Sequence, residues 1–132
     1  MADERFELAL DHFGRALARL HEVLAQPEND FIRDSIIQRF EFTFETAWKA
    51  IYRWLRARSV DVDEDAYSCI PEAFKRRLIT QEKLWGDMRK FRNLTSHTYH
   101  ENLAIEVAAF VRHDGVQAMD VLLQTLRERA PE

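Results

Sequence analysis

The residues MRKFRNLTSHTYHE at 88–101 concentrate more usable chemistry than any other stretch of this 132-residue chain. Arg92 stands five residues before His97, and Tyr99 follows two residues after it. A guanidinium can stabilise a developing phosphoryl charge, an imidazole can move a proton near neutral pH, and a phenol can be a nucleophile or an acceptor for modification. A helix turns about 100° per residue, so Arg92 and His97 would lie roughly 140° apart on a regular one. Asn93 and His97, or Arg92 and Ser96, would share a face instead. For Arg92 and His97 to meet one substrate, the helix must distort or end near Thr95–Ser96, whose hydroxyls compete for backbone carbonyls. Alternatively, two subunits pool their residues across a two-fold interface.

Spacing alone is equally consistent with a plain helix end, where His97 interacts with carbonyls and Arg92 pairs with a nearby acid. His97, His100 and Glu101 also read as metal ligands. No further Cys or His completes such a set, and His113 stands alone, so no metal or other cofactor is expected.

The elements that must position this segment read as helices. Phe6, Leu10, Phe13, Leu17, Leu20 and Leu24 recur at three- and four-residue steps, one face of an amphipathic helix. Pro27 ends it, and Asn29 or Asp30 offers a cap for the next. A longer helix runs from about Phe31 to Arg58, its stripe formed by Ile32, Ile36, Phe40, Phe44, Ala47, Trp48, Ile51 and Leu55. That stripe widens with Ile37, Phe42, Tyr52 and Trp54, which predicts the central, most buried helix and a surplus of apolar surface. SVDVDEDAYS reads as an acidic connection, and Pro71 suits the first turn of a short third helix through Leu78. Thr80 would cap a fourth helix carrying Leu84, Trp85, Met88 and Phe91. A fifth opens at Glu101 or Asn102 and carries Ile105, Ala108, Val111, Met119, Leu122, Leu123 and Leu126, with Gly115 as its weak spot. The C-terminal RERAPE should fray. The expected fold is all-α: one domain over 1–132, an antiparallel bundle of four long helices and one short one, at least dimeric.

Composition bounds the rest. Three Gly and three Pro leave little turn material for an all-β fold, and the single cysteine, Cys69, excludes an intrachain disulfide framework. Acids stand where a signal peptide would carry basic residues, and no apolar run approaches the roughly 20 residues that span a bilayer. A soluble, cytoplasmic protein with no membrane partner is expected. The net charge of −4 hides an asymmetry: residues 48–60 carry +4, residues 74–92 carry +5, and the remainder −13. A locally basic middle can attract a polyanion or an acidic partner surface, or can simply be solvated helix faces. Trp48, Trp54 and Trp85 read as core or interface residues, and Cys69 as packing.

The segment RDSIIQRFEFTFETAWKAIYRWLRARSV, followed by RNLTSHTY, closely resembles the nucleotidyltransferase substrate-binding family, a branch of the HEPN superfamily related to HepT-type toxins. The resemblance covers about Phe6 to Leu126. It implies a dimeric helical bundle encoded beside a minimal nucleotidyltransferase. For toxin-like members it further implies a metal-independent ribonuclease site at the dimer interface, whose arginine, following polar residue and histidine fall here on Arg92, Asn93 and His97. The tyrosine two residues on, Tyr99, would receive AMP from the nucleotidyltransferase and silence the toxin. His100 stands where relatives often have a small polar or acidic residue, and Ser59 where a glycine commonly closes the long helix.

Three readings follow. In the first, an endoribonuclease toxin, His97 serves as general base or acid, Arg92 stabilises the scissile phosphate, and Asn93 or Ser96 orients it. Arg89 and Lys90 would hold the RNA backbone, with His100 in support. In the second, the same cluster binds a nucleotide or the partner, in a non-catalytic subunit that presents substrate to a separate nucleotidyltransferase. The third is a purely structural helical dimer.

Overall fold

Asp3 opens the first helix by accepting the Phe6 N–H at 3.0 Å, and α1 then runs Glu4–Leu24. Asn29 repeats the device at 2.8 Å to the Ile32 N–H, starting α2 (Asp30–Ala57). These caps satisfy N–H groups that have no partner within the helix. The computed structural model describes residues 3–131, and among them there is no strand. After α2 come α3 (Ala66–Lys75), α4 (Glu82–Thr95), α5 (Glu101–Phe110), a π turn (Val111–Gly115) and α6 (Val116–Glu128).

At about 1.5 Å per residue, the 28 residues of α2 span roughly 42 Å. It touches α1, α3, α4, α5 and α6, so it is the central helix that its wide apolar stripe predicts. Phe40, Phe44, Ile51, Trp54 and Leu55 are all buried on it. Burial of each such side chain contributes on the order of 1.5–3 kcal/mol before the cost of ordering the chain. Tyr52 is only half-buried, and Phe42 stays 62% exposed.

The fifth predicted helix is one continuous rod with a π turn inside it, where the Val116 N–H reaches back to the Val111 carbonyl. The turn falls at Gly115, the expected weak spot. An added Cβ there would lie 3.4 Å from the Phe110 ring, which is itself packed on Phe91 with centroids 4.9 Å apart. With α5, the π turn and α6 taken together, the bundle is four long helices and one short one.

Several local expectations are corrected. The short helix begins at Ala66 within the supposed acidic connection, because Asp65 caps it through the Ser68 N–H at 2.6 Å. Pro71 consequently sits inside α3, where it lacks an N–H for the Tyr67 carbonyl. Burial of Cys69, Ile70 and Ala73 on the other side outweighs that loss. Thr80 does not cap α4. Gln81 takes the cap position and makes no side-chain cap hydrogen bond. The C-terminal segment is tied down as far as Arg129: its carbonyl accepts Trp54 Nε1–H at 2.9 Å, and its guanidinium donates to the Arg76 carbonyl at 3.0 Å. Cys69 is a packing residue whose thiol burial pushes up to about 12.

Both α2 and α3 end in the same way. Ser59 and Arg77 take φ values of 62° and 61°, so that Val60 N–H bonds the Leu55 carbonyl and Leu78 N–H bonds the Ala73 carbonyl. This is the closing motif that favours glycine, since a Cβ in left-handed backbone costs roughly 1–2 kcal/mol. Ser59→Gly is therefore expected to stabilise the fold by about 0.5–1 kcal/mol after the glycine's larger unfolded entropy is subtracted. Urea unfolding of the two proteins checks it. An unchanged or lower midpoint would show that Ser59 is not strained.

Candidate functional site

The helix break required by the Arg92–His97 spacing is present. Ser96 Oγ donates to the Asn93 carbonyl at 2.7 Å, and α4 stops at Thr95. Ser96 and His97 follow as an exposed bend, and the chain re-enters helix only at Glu101. The His100 Nδ1 accepts the Leu103 N–H at 3.2 Å and caps α5, so one of its two ring nitrogens serves the backbone.

Arg92 leaves α4 toward α2 and is 26% exposed. Its Nη1 donates to Glu41 Oε2 at 3.4 Å, and its Nε lies 3.1 Å from Glu45 Oε1. That Nε–H is buried and not aimed at the carboxylate, so it makes no hydrogen bond. Thr95, also buried, donates to the same Glu41 oxygen at 2.8 Å, with the Phe91 carbonyl at 3.0 Å as its alternative acceptor. Glu45 additionally accepts Trp48 Nε1–H at 2.9 Å. Two carboxylates of α2 thus clamp one guanidinium of α4.

Tyr99 packs partly against the core and lines an open cavity of about 280 Å³ with Asp34, His100 and Glu101. Burial raises its phenol above the ordinary value, and the nearby charges of Asp34 and Glu41 add to the effect. Asp34 and Glu41 are seven residues apart, two turns on one face of α2. Read from Arg92 through Thr95 to Tyr99, the polar segment therefore runs along α2 toward its N-terminus, meeting Glu45, Glu41 and Asp34 in turn.

The remaining expected residues are spread out. Asn93 is exposed at the end of α4, and His97 is exposed beyond it. Arg89 turns instead toward α3, its guanidinium 5.3 Å from the Tyr67 ring. Sequence reasoning missed Glu41, Glu45 and Asp34, and it read Thr95 as a helix breaker without its bond to Glu41. Glu41 and Glu45 carried a signal: they are two acids one turn apart within the otherwise apolar and aromatic FEFTFETAW. Among the described residues, no three His, Cys, Asp or Glu side chains gather as a metal-ligand set.

The basic stretches are less free than their charge suggests. Arg56 pairs with Asp61, Arg58 stacks 4.0 Å from the Trp54 ring centroid, Lys75 and Arg76 both meet Glu72, and Lys83 meets Asp87. No helix is long and apolar enough to cross a membrane among the described residues.

A helical bundle with an Arg–His element at a helix end, and a tyrosine two residues beyond the histidine, is what the resemblance to that family implies. Residues 8–128 match the family described as nucleotidyltransferase substrate binding protein like. The chain belongs to that family. It is 35% identical over 97 residues to a probable ribonuclease HepT of Haemophilus influenzae, an alignment covering 70% of this chain and 66% of that relative. The chain thus spans just under two thirds of that relative's length. A crystal structure of a Thermus thermophilus protein superposes with a TM-score of 0.78 at 33% identity, over 87% of this chain and 98% of the other. A chain in a crystal structure of a mutant toxin–antitoxin MntA–HepT complex gives 0.77 at 14% identity, over 96% and 100%, and so shares the fold.

The raised Tyr99 phenol gives a direct check of this geometry. The difference in tyrosinate absorbance between wild type and Tyr99→Phe, followed against pH, should have its midpoint above about 10. The folded state holds that proton more tightly, so the neutral phenol's stability contribution is present below about pH 10 and is lost as pH rises through the raised value. A difference curve centred at or below that ordinary value would mean that Tyr99 does not sit against Asp34 and Glu41 in solution.

Proposed function

We propose that this protein is the HEPN-type partner of a minimal nucleotidyltransferase and a metal-independent endoribonuclease toxin, silenced when AMP is transferred to Tyr99. Family membership and the named relatives support the pairing. The observation that carries the chemistry is the state of Arg92. Its guanidinium is held at the end of α4 by one long hydrogen bond through Nη1 and by the Glu45 carboxylate beside Nε, which leaves Nη donors for a phosphate.

In the reaction, His97 takes the proton of an RNA 2′-hydroxyl, that oxygen attacks the adjacent phosphorus, and the bond to the 5′-oxygen breaks. The leaving oxygen takes a proton from water, and Arg92 offsets the charge gathering on the phosphorane while Asn93 and Ser96 orient it. For silencing, the Tyr99 oxygen attacks the α-phosphorus of ATP and pyrophosphate leaves. Its phenol is raised, so it is protonated at neutral pH, and the partner must supply the base. A non-catalytic subunit that presents substrate to the nucleotidyltransferase is the second reading. It is favoured by the pairing of Arg92 with two carboxylates, which neutralises the guanidinium within a single chain.

Homodimerisation completes the proposal. Phe31 and Phe42 on α2 and Leu94 on α4 are 85%, 62% and 55% exposed, large side chains left uncovered by the chain's own core. An isologous pairing over α2 and α4 would bring two His97 bends together.

Two outcomes follow. His97→Ala, an exposed truncation, should abolish RNA cleavage with melting unchanged, and wild-type cleavage should persist in EDTA. Tyr99→Phe should cut RNA yet gain no AMP mass from the co-encoded nucleotidyltransferase and ATP. Wild-type protein that neither cuts RNA nor slows growth when expressed alone would leave the binding-subunit reading. Arg92→Ala is a poorer probe than its polarity suggests, because it strands two half-buried carboxylates. Phe42→Glu should shift sedimentation from dimer to monomer at tens of micromolar and take cleavage with it. A wild type sedimenting only as monomer would remove the shared-site picture.

A further inference from the structure

Glu41, Glu45, Lys49 and Arg53 stand at successive four-residue steps on α2, so they form one row along the helix. The acidic half of that row is committed to Arg92. Lys49 would ordinarily pair with Glu45 one turn away, but Glu45 already faces Arg92 and the Trp48 indole. The basic half is therefore left without a carboxylate. The start of α1 lies against this part of α2 and contributes Arg5 and His12, two turns apart. Together with Lys49, Tyr52 and Arg53 they line a cleft of about 250 Å³, in which Glu64 is the acid present.

Among the described residues, no carboxylate lies within 4.0 Å of Arg5, Lys49 or Arg53, and what distinguishes these three is that they line one cleft. Lys49 and Arg53 are instead steadied by aromatic faces, 5.7 Å from the Trp48 centroid and 5.2 Å from the Tyr52 centroid. Cation–π contact of this kind leaves N–H donors available. On a protein of net charge −4, Arg5, Lys49 and Arg53 gather three cations from two helices around one cleft.

We propose that this α1–α2 cleft is a phosphate-binding subsite for single-stranded RNA, separate from the Arg92 site and continuous with it along α2. The second half of that statement rests on the ribonuclease reading. The rise from Glu45 to Arg53 is about 12 Å at 1.5 Å per residue. Lys49 and Arg53 thus lie about 6 and 12 Å along α2 from Glu45, within reach of the phosphates that follow one held at Arg92. The half-buried Tyr52 ring lines the cleft and holds Arg53 over its face. A cleft of this volume suits phosphates and a base better than a protein helix, which favours nucleic acid over an acidic partner surface.

The test uses a fluorescent, uncleavable 2′-O-methyl oligoribonucleotide and the full chain, with binding read by anisotropy over a salt series. Lys49→Ala/Arg53→Ala removes one exposed and one half-buried side chain that touch the rims of Trp48 and Tyr52 but fill no core position, so melting should be nearly retained. It should bind at least tenfold more weakly, with a salt slope shallower by about 1.4, the value for two lost single-strand phosphate contacts at about 0.7 each. Lys75→Ala/Lys83→Ala removes the same charge elsewhere and should weaken binding less than twofold. Equal losses in the two double variants would reduce the cleft to general charge and overturn the proposal. So would unchanged binding by Lys49→Ala/Arg53→Ala, absence of wild-type binding, or loss of the nucleotidyltransferase partner instead of RNA. RNA that is held in the cleft yet never cut would defeat the ribonuclease reading and leave the subsite standing. Wild-type cutting that the double variant matches in full would do the reverse.

Discussion

Glu41 is a carboxylate set between Phe40 and Phe42 on the most buried helix of the bundle, and its side chain is only 22% exposed. A charge withdrawn from water to that degree needs donors, and α4 supplies two of them, the Thr95 hydroxyl and Arg92. The bond energies are modest, on the order of 1–3 kcal/mol for each charged hydrogen bond. Their directional effect is larger. Trp85 packs on Phe44 and holds α4 against α2, but non-directional apolar contact by itself fixes neither sliding nor rotation. A carboxylate that must be met by both Thr95 and Arg92 allows neither. The end of α4, and with it the start of the His97 bend, is thereby registered to a single turn of α2.

The clamp also partitions charge along the bundle. Two carboxylates around one guanidinium leave an excess negative charge, and Asp34 extends it toward Tyr99, where burial and those acids together disfavour the phenolate. The other half of α2 presents Lys49 and Arg53 with no carboxylate. One helix thus carries an acidic side beside an acceptor phenol and a basic side beside an open cleft. These environments suit opposite kinds of visitor. A phenol among acids gains from a cation or cationic surface brought by a partner, which would also offset the repulsion that an arriving phosphate meets there, while the far side attracts a polyanion unaided.

Much of this was legible in the sequence, and the exceptions have physical causes. The long stripes of α1 and α2 and the asparagine cap between them were readable because period and cap chemistry agree. The break at Thr95–Ser96 was legible because hydroxyl residues at that point compete for carbonyls, as both do. The α3 boundary was not, because Pro71 is a stronger local signal for a helix start than Asp65, yet the burial of Cys69 and Ile70 decided the outcome. Thr80 failed as a cap because a suitable residue type does not fix where the first turn closes. Anchoring of Arg129 by Trp54 and Arg76 joins residues more than fifty positions apart, and no periodicity encodes that. The site was half legible: Arg92 and Tyr99 were evident, while their partners on α2 looked like ordinary solvated acids on an amphipathic helix.

What remains of the polar segment is a stretch fixed at both ends by its own side chains. Thr95 and Ser96 turn their hydroxyls onto α4 carbonyls and Glu41, closing the helix behind them. His100 accepts the Leu103 N–H through Nδ1 and opens α5, which places its ring proton on Nε2. Between these two anchors lie His97, Thr98 and Tyr99, and only Tyr99 is packed against the core. Three residues between fixed ends have little freedom to wander, so the exposed His97 ring is confined to a small region beside the end of α4 without any direct bond holding it.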